Sequence, residues 1–290
     1  MRFNEIIQLN EMAASTGGIT YELAVLKSVK LALSKFQGQA KLVRSDILST
    51  AGFSNVGIDL EVEVVGKPFA VEIKKDYKAQ MGGTSIQYDI ESNNAKLKNP
   101  EEVSEELQNM FIEFTKSKRN EFIALIDYLR KQSPEALHKN LSYNIPVGTV
   151  TKQAWESAKT AGLLKPLNII IPFDNTDLIA NHYNKKGVFY IQIGGAGLFY
   201  LNKNPLNLPI PKFEGKIQIE FRLGRSGSVK RIIQNKEYSV VGNGYRMQAR
   251  LLSKISSPIS LDNVQQTIDL FQLIIDSSTN SMKSDIKKIR

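Results

Sequence analysis

The chain has 290 residues, 42% of them hydrophobic and 23% charged, and no stretch nears the roughly 18 unbroken apolar residues of a membrane span. It contains no cysteine and only two histidines, His138 and His182, which excludes disulfides, thiolate chemistry and His-rich zinc sites. The net charge is +9, and residues 166–290 carry 17 Lys+Arg against 9 Asp+Glu while the rest is nearly balanced, so the excess sits where a polyanion would be met.

The opening MRFNEIIQLNEMAAS has acids and amides where a signal peptide would be apolar, and a cytoplasmic protein is expected. Residues 20–36 place Leu23, Val25, Leu26, Val29, Leu31 and Leu33 at helical spacing after Gly17-Gly18, with Thr20 as N-cap and Glu22 in the first turn. Two strand-like runs follow. In Ile58–Val65, Asp59, Glu61 and Glu63 alternate with Leu60, Val62 and Val64. In Phe69–Lys74, Phe69, Val71 and Ile73 alternate with Ala70, Glu72 and Lys74. A turn centred on Gly66-Lys67 would set Asp59 opposite Lys74 and Glu61 opposite Glu72, with the four side chains on one face. Pro68 would leave that turn open, since it has no N–H to close it.

Residues 84–98 are read as a helix with Gln87 near its start, and 100–139 as charged helices. Residues 151–163 are read as a helix with Trp155 in the core, stopped by Gly162 and Pro166. Strands are expected at 167–173, 187–194, 216–223 and 238–241, and a closing helix over about 261–278. IGGAG (193–197) lacks the Gly-Lys-Ser/Thr of a phosphate loop and marks a turn between strands. GITY and FYIQIG lie too far apart for a GIY-YIG nuclease. This order is that of a mixed α/β fold. It divides into 1–98, a helical insertion 99–165, and a β-rich basic part 166–290 that completes the sheet.

Two carboxylates with a neighbouring ammonium are what metal-dependent phosphodiester hydrolysis needs; a solvated strand face with cross-strand ion pairs would carry the same letters. Asp59 followed by Glu72-Ile73-Lys74, after a helix bearing Glu22 and before Gln87, resembles the signature of the PD-(D/E)XK, or restriction-endonuclease-like, nucleases. The resemblance covers about residues 17–98, and Ile58 stands where the name-giving proline would be. It implies a central mixed sheet flanked by helices, with Asp59, Glu72 and the Ile73 carbonyl as ligands of Mg²⁺, for which Mn²⁺ would substitute. It implies Lys74 on the attacking water, Glu22 as an outer-sphere or second-metal contact, and Gln87 on phosphate or strand. Helix-dipole and capping-box roles are the plain alternatives for Glu22 and Gln87. Lys75 and Lys78, then Arg222, Arg225, Lys230 and Arg231, are the candidate contacts to double-stranded DNA. The expected activity is a DNA endonuclease of restriction type, with a homodimer as the arrangement that supplies two sites for the two strands. An exonuclease, a junction resolvase or a non-catalytic DNA-binding protein are the alternatives.

Overall fold

A computed structural model describes residues 3–45, 58–138 and 141–288. In chain order its elements begin with α1 (Phe3–Leu33), β1 (Ala40–Ser45), β2 (Leu60–Val64), β3 (Lys67–Lys74), β4 (Met81–Asp89) and β5 (Asn94–Leu97). Next come α2 (Glu105–Ser117), α3 (Arg119–Gln132), α4 (Glu135–His138), β6 (Asn144–Ile145), β7 (Val150–Thr151) and α5 (Lys152–Thr160). The remainder is β8 (Ile169–Phe173), α6 (Asp177–Lys185), β9 (Tyr190–Ile193), β10 (Gly197–Tyr200), β11 (Ile217–Arg225), β12 (Val229–Ile233), β13 (Lys236–Val241), β14 (Asn243–Leu251) and α7 (Val264–Lys288). The fold is mixed α/β. No described helix is long and apolar enough to cross a membrane.

The chain divides into two compact units whose segments alternate in sequence. One comprises 1–10, 82–173 and 218–250; the other comprises 11–81, 174–217 and 251–290. The unit that contains 82–173 also includes 218–250, so this division falls at other positions than the sequence boundaries at 98 and 165.

The second unit holds a five-stranded sheet in the order β1-β2-β3-β9-β10. β1, β2 and β3 form an antiparallel meander, and β9 adds to β3 in parallel. A parallel neighbour cannot be reached by a tight turn, so the chain has room for the inserted unit and α6 between β3 and β9. The apolar alternation sets the faces. Leu60, Val62 and Val64 with Phe69, Val71 and Ile73 pack against Val25, Leu26, Val29 and Ala32 of α1 and Leu270, Phe271, Ile274 and Ile275 of α7. Each large side chain buried there contributes about 1.5–3 kcal/mol.

The buried stripe on α1 runs through Val25, Leu26, Val29 and Ala32, whereas Leu23 and Leu31 are exposed. The helix begins at Phe3 and passes through Gly17-Gly18, so Thr20 is no N-cap and Glu22 is far from the first turn. Glycine in a helix costs about 1 kcal/mol against alanine and is tolerated when tertiary packing outweighs it.

The first unit has a six-stranded sheet in the order β5-β4-β14-β11-β8 with β6 on β4, and a three-stranded sheet β12-β13-β7. Its core is aromatic: Phe111 lies 5.6 Å from both Phe221 and Tyr245, and Phe122 lies 5.2 Å from Tyr245. The expected helix over 84–98 is instead β4 and β5. Ile86, Tyr88 and Ile90 are buried while Gln87 and Asp89 are exposed, a period of two that only a strand satisfies. The helical reading of 100–138 holds as α2–α4 (Lys139 lies outside the described residues), and Trp155 on α5 is buried. Thr151 caps α5 by accepting from the Ala154 N–H.

Candidate active site

The hairpin turns at Val65-Gly66, both at positive φ (46° and 75°), the pair of conformations a two-residue type I′ turn requires. Leu60 therefore pairs with Val71, Glu61 with Ala70, and Val64 with Lys67. The expected pairs, Asp59 with Lys74 and Glu61 with Glu72, are corrected by two residues. A shift of two keeps every side chain on its face, because strand side chains alternate with period two. Pro68 follows the turn and precedes the β9 pairing, which begins at Val71, so its missing N–H leaves no gap in that ladder.

Asp59 stands one residue before β2 and beyond its last pair with β3. There its Oδ2 accepts a hydrogen bond from the Ile73 N–H at 2.7 Å. The Asp59 carboxylate is thus fastened to the middle of Glu72-Ile73-Lys74. Backbone N–H and C=O of one strand residue point to the same side, so the Ile73 carbonyl opens on the Asp59 side of β3 as well. Glu72 is only 7% exposed, and its Oε1 lies 2.5 Å from Lys74 Nζ. Glu22 sits one helical turn before Val25 and Leu26 on the buried stripe of α1, close enough to feel both Lys74 and Glu72.

These charges perturb one another. Burial, then the charge of Glu72, pushes the Asp59 carboxyl up to about 7, against the opposing pull of Lys74 and the Ile73 N–H; Glu22 pushes it further up. Burial also raises Glu22, with Lys74 opposing and Glu72 reinforcing the rise. Burial alone would depress the Lys74 ammonium, but the Glu72 carboxylate holds it well above its ordinary value. Three acids thus share one internal cation. Such a site gains from a further positive charge.

Among the described residues no three His, Cys, Asp or Glu side chains form a ready metal shell. The donors at hand are Asp59, Glu72 and the Ile73 carbonyl, all oxygen. They suit a hard cation that keeps several of its own waters.

The Asp59 shift makes a measurable difference in metal-free protein. Between the ordinary value of 3.8 and about 7, folded Asp59 holds a proton that the unfolded chain has released, so its contribution to stability falls as pH rises through that window. His182 acts oppositely: burial holds its imidazole down to about 3 from 6.5, and its contribution rises over that interval. The readout is therefore a difference. In EDTA, Asp59→Asn is expected to become more stable than the unsubstituted chain as pH increases from 4 to 7.5, by about 2–4 kcal/mol at the top of the range. Mg²⁺ should reverse the order. Parallel urea-midpoint curves for the two proteins would contradict it.

Several contributors escaped the sequence reading. Gln192 on β9 pairs with Ile73 and is fully buried. Its Nε2 donates to Tyr21 Oη (2.9 Å) and Ser260 Oγ (2.8 Å), and its Oε1 accepts from the Leu261 N–H (3.0 Å). Tyr21 Oη and Ser260 Oγ both donate to Asp262, at 2.9 and 2.7 Å. This network fixes Tyr21, the residue before Glu22, against the strand beside the motif. A glutamine inside the apolar run FYIQIG was the available signal. On α6, which was not anticipated, His182 is 2% exposed with an unpartnered Nδ1, and both it and Tyr183 interact electrostatically with Lys74.

The remaining candidates are distributed as follows. Glu61 pairs with Arg44 at 3.4 Å, as befits a neighbour rather than a ligand. Lys75 and Lys78 are exposed just after β3, with Lys78 Nζ 5.5 Å from the centre of the Tyr77 ring. Gln87 is exposed on β4 of the other unit, not at a helix start, which removes the capping-box reading. Arg222, Arg225, Lys230 and Arg231 also belong to that unit, on β11 and β12. Arg225 pairs with Glu156 (3.1 Å) and Lys230 with Glu237 (2.9 Å). No protein-family model, curated protein or solved structure matches this chain.

Proposed function

We propose that this chain is a Mg²⁺-dependent deoxyribonuclease with a restriction-endonuclease-like core in the unit that carries Asp59, Glu72 and Lys74. The observation that carries the reading is the hydrogen bond from the Ile73 N–H to Asp59, beside the Glu72–Lys74 pair. A solvated strand face would leave these groups exposed and unshifted. Here they are largely buried: burial and then the Glu72 charge raise Asp59, and the Glu72 charge holds the Lys74 ammonium well above its ordinary value. The helix, antiparallel meander and added parallel strand of this unit are consistent with the central mixed sheet that the resemblance implies.

When bound, the cation would neutralise phosphate charge and lower the pKa of a water. Asp59 and Glu72 would hold it, with the Ile73 carbonyl. Lys74, kept protonated by Glu72, orients the attacking water and stabilises charge that develops on the phosphoryl oxygens. Asp59, pushed up to about 7, would be drawn to its ionised form by a bound cation. Glu22 contributes charge from α1, and Tyr21 and Gln192 hold that helix in place.

The size of the additional unit, with its basic segment 218–250, favours an endonuclease with target selection, and cutting both strands favours a homodimer. Incubation of supercoiled plasmid with the purified chain should yield nicked and linear forms in Mg²⁺ or Mn²⁺ and none in EDTA. Linear and four-way-junction substrates run in parallel distinguish an exonuclease or resolvase. Binding of DNA without cleavage in either ion would make this a DNA-binding protein instead.

A further inference from the structure

The β12–β13 hairpin is built unlike the rest of its unit. Val229 pairs with Val240, Lys230 with Ser239, Arg231 with Tyr238, Ile232 with Glu237, and Ile233 with Lys236. The connection is Gln234-Asn235, both at positive φ (50° and 58°), a type I′ turn whose twist keeps the two strands together. β7 joins β13 only at Val240 and Val241. Those two valines are buried and anchor the base. Beyond them, residues 230–239 form a two-stranded ribbon without a third strand among the described residues.

The ribbon's surface runs against the usual rules for a free edge. Ile232, on the edge strand, is 77% exposed, the most exposed of the large apolar side chains described; the next, Ile170, is 59% exposed. A β-branched apolar residue at an open edge invites pairing with other chains, and natural proteins normally place a charge there. Here the charges surround the isoleucine instead: Lys230, Arg231 and Lys236 are exposed, against the single acid Glu237. Alternation and register put Lys230, Ile232 and the facing Glu237 on one side of the ribbon, with Lys230 Nζ 2.9 Å from the Glu237 carboxylate, and Arg231 and Lys236 on the other.

We infer that the β12–β13 ribbon is a DNA-reading element that enters the major groove of the duplex. This rests on the deoxyribonuclease reading above and deepens it by assigning target recognition to a specific part of the chain. The major groove admits a two-stranded ribbon, and thymine presents a methyl group there. Ile232 supplies the apolar contact to a base edge, while Lys230, Arg231 and Lys236 meet the phosphates on either side. An exposed apolar side chain on a ribbon that carries three cations against one acid fits a groove, which has an uncharged floor and anionic walls.

The test uses the full chain and a fluorescein-labelled duplex of mixed sequence, in Ca²⁺ to prevent cutting. Glucosylated hydroxymethylcytosine, which fills the major groove, should weaken binding about tenfold or more, and netropsin in the minor groove should leave it unchanged. The triple substitution Lys230→Ala, Arg231→Ala, Lys236→Ala should lower the slope of log affinity against log salt by about 2–3. Ile232→Ala should weaken binding about tenfold with the slope unchanged. Dimethyl sulfate protection of guanine N7, a major-groove atom, gives a readout that needs no variant. Competition by netropsin, wild-type binding by both variants, or equal affinity for phosphatidylserine vesicles would each overturn the assignment. If plasmid cleavage persists in that event, the ribbon is wrong and the nuclease reading stands; if the unsubstituted chain neither binds nor cuts any duplex, both fall.

Discussion

Lys74→Ala is expected to cut supercoiled plasmid in Mg²⁺ about 10³-fold more slowly than the unsubstituted chain, and Glu72→Ala to fall at least as far. Affinity for uncut duplex in Ca²⁺ should stay within about threefold for Lys74→Ala. The size follows from what each group would do. A preorganised donor acting on developing charge contributes about 10²–10³ in turnover, and loss of a carboxylate ligand to the cation adds to it. The ground-state complex relies on neither to the same degree, so turnover drops and binding does not.

The same pair has a structural side that must be separated from catalysis. Lys74 and Glu72 form an ion pair 2.5 Å long that is largely removed from water. Breaking such a pair from one side leaves an uncompensated buried charge, at about 3–5 kcal/mol. Lys74→Ala should therefore also be less stable in EDTA at alkaline pH, where Glu72, Asp59 and Glu22 are left without their cation. The double variant Lys74→Ala/Glu72→Gln removes both charges. It should regain most of that stability while remaining inactive, a non-additivity that a double-mutant cycle measures directly. Full activity in folded Lys74→Ala protein would take this residue out of the mechanism. Loss of activity that returned with stability in the double variant would mean that the pair only holds the fold.

The second large effect is at Gly194, where Gly194→Ala should lower the unfolding free energy by about 3 kcal/mol or more and abolish cleavage with it. A methyl group there would lie 2.0 Å from the Lys75 carbonyl oxygen, 2.8 Å from its carbon and 3.1 Å from the Tyr21 ring. The nearest obstacles are backbone, not the end of a flexible side chain. Nor can the strands separate without loss, because the Gly194 N–H donates to the Lys74 carbonyl at 2.8 Å. Relief of the clash must move β9 away from the end of β3, which carries Lys74, or push Tyr21 and so Glu22 outward. Gly224→Ala on β11 is the control: nothing lies within 4 Å of its added carbon, and the change should stay within about 0.5 kcal/mol. Urea denaturation of both variants decides it. Wild-type stability in Gly194→Ala would contradict the close approach of Gly194 to the Lys75 carbonyl.

Much of the central hairpin was legible because its information is local. Alternation within Leu60–Val64 and Phe69–Lys74 states which side chains share a face, and burial of Leu60, Val62, Val71 and Ile73 bears that out. The register was not legible. Val65 takes φ 46°, a left-handed conformation that β-branched residues avoid, so no turn rule would choose it over Gly66-Lys67. The error was an even number of residues, which is why the face survived. Over 84–98 the alternation of Ile86, Tyr88 and Ile90 was present in the chain and was read with the wrong period.

By itself the sequence determined composition, charge placement, the α/β character, the polar and apolar faces of the hairpin, and the three letters Asp59, Glu72 and Lys74 that could share a patch. Tertiary structure alone decided that Asp59 reaches Ile73 across the end of the ladder. It also decided that β9 and β3 meet after an inserted unit, and that Tyr21 is secured through Gln192, Ser260 and Asp262. The physical reason is range. Periodicity and turn chemistry act between residues a few positions apart, whereas the contacts that desolvate these groups join segments up to 241 residues distant, where no local preference can specify the partner.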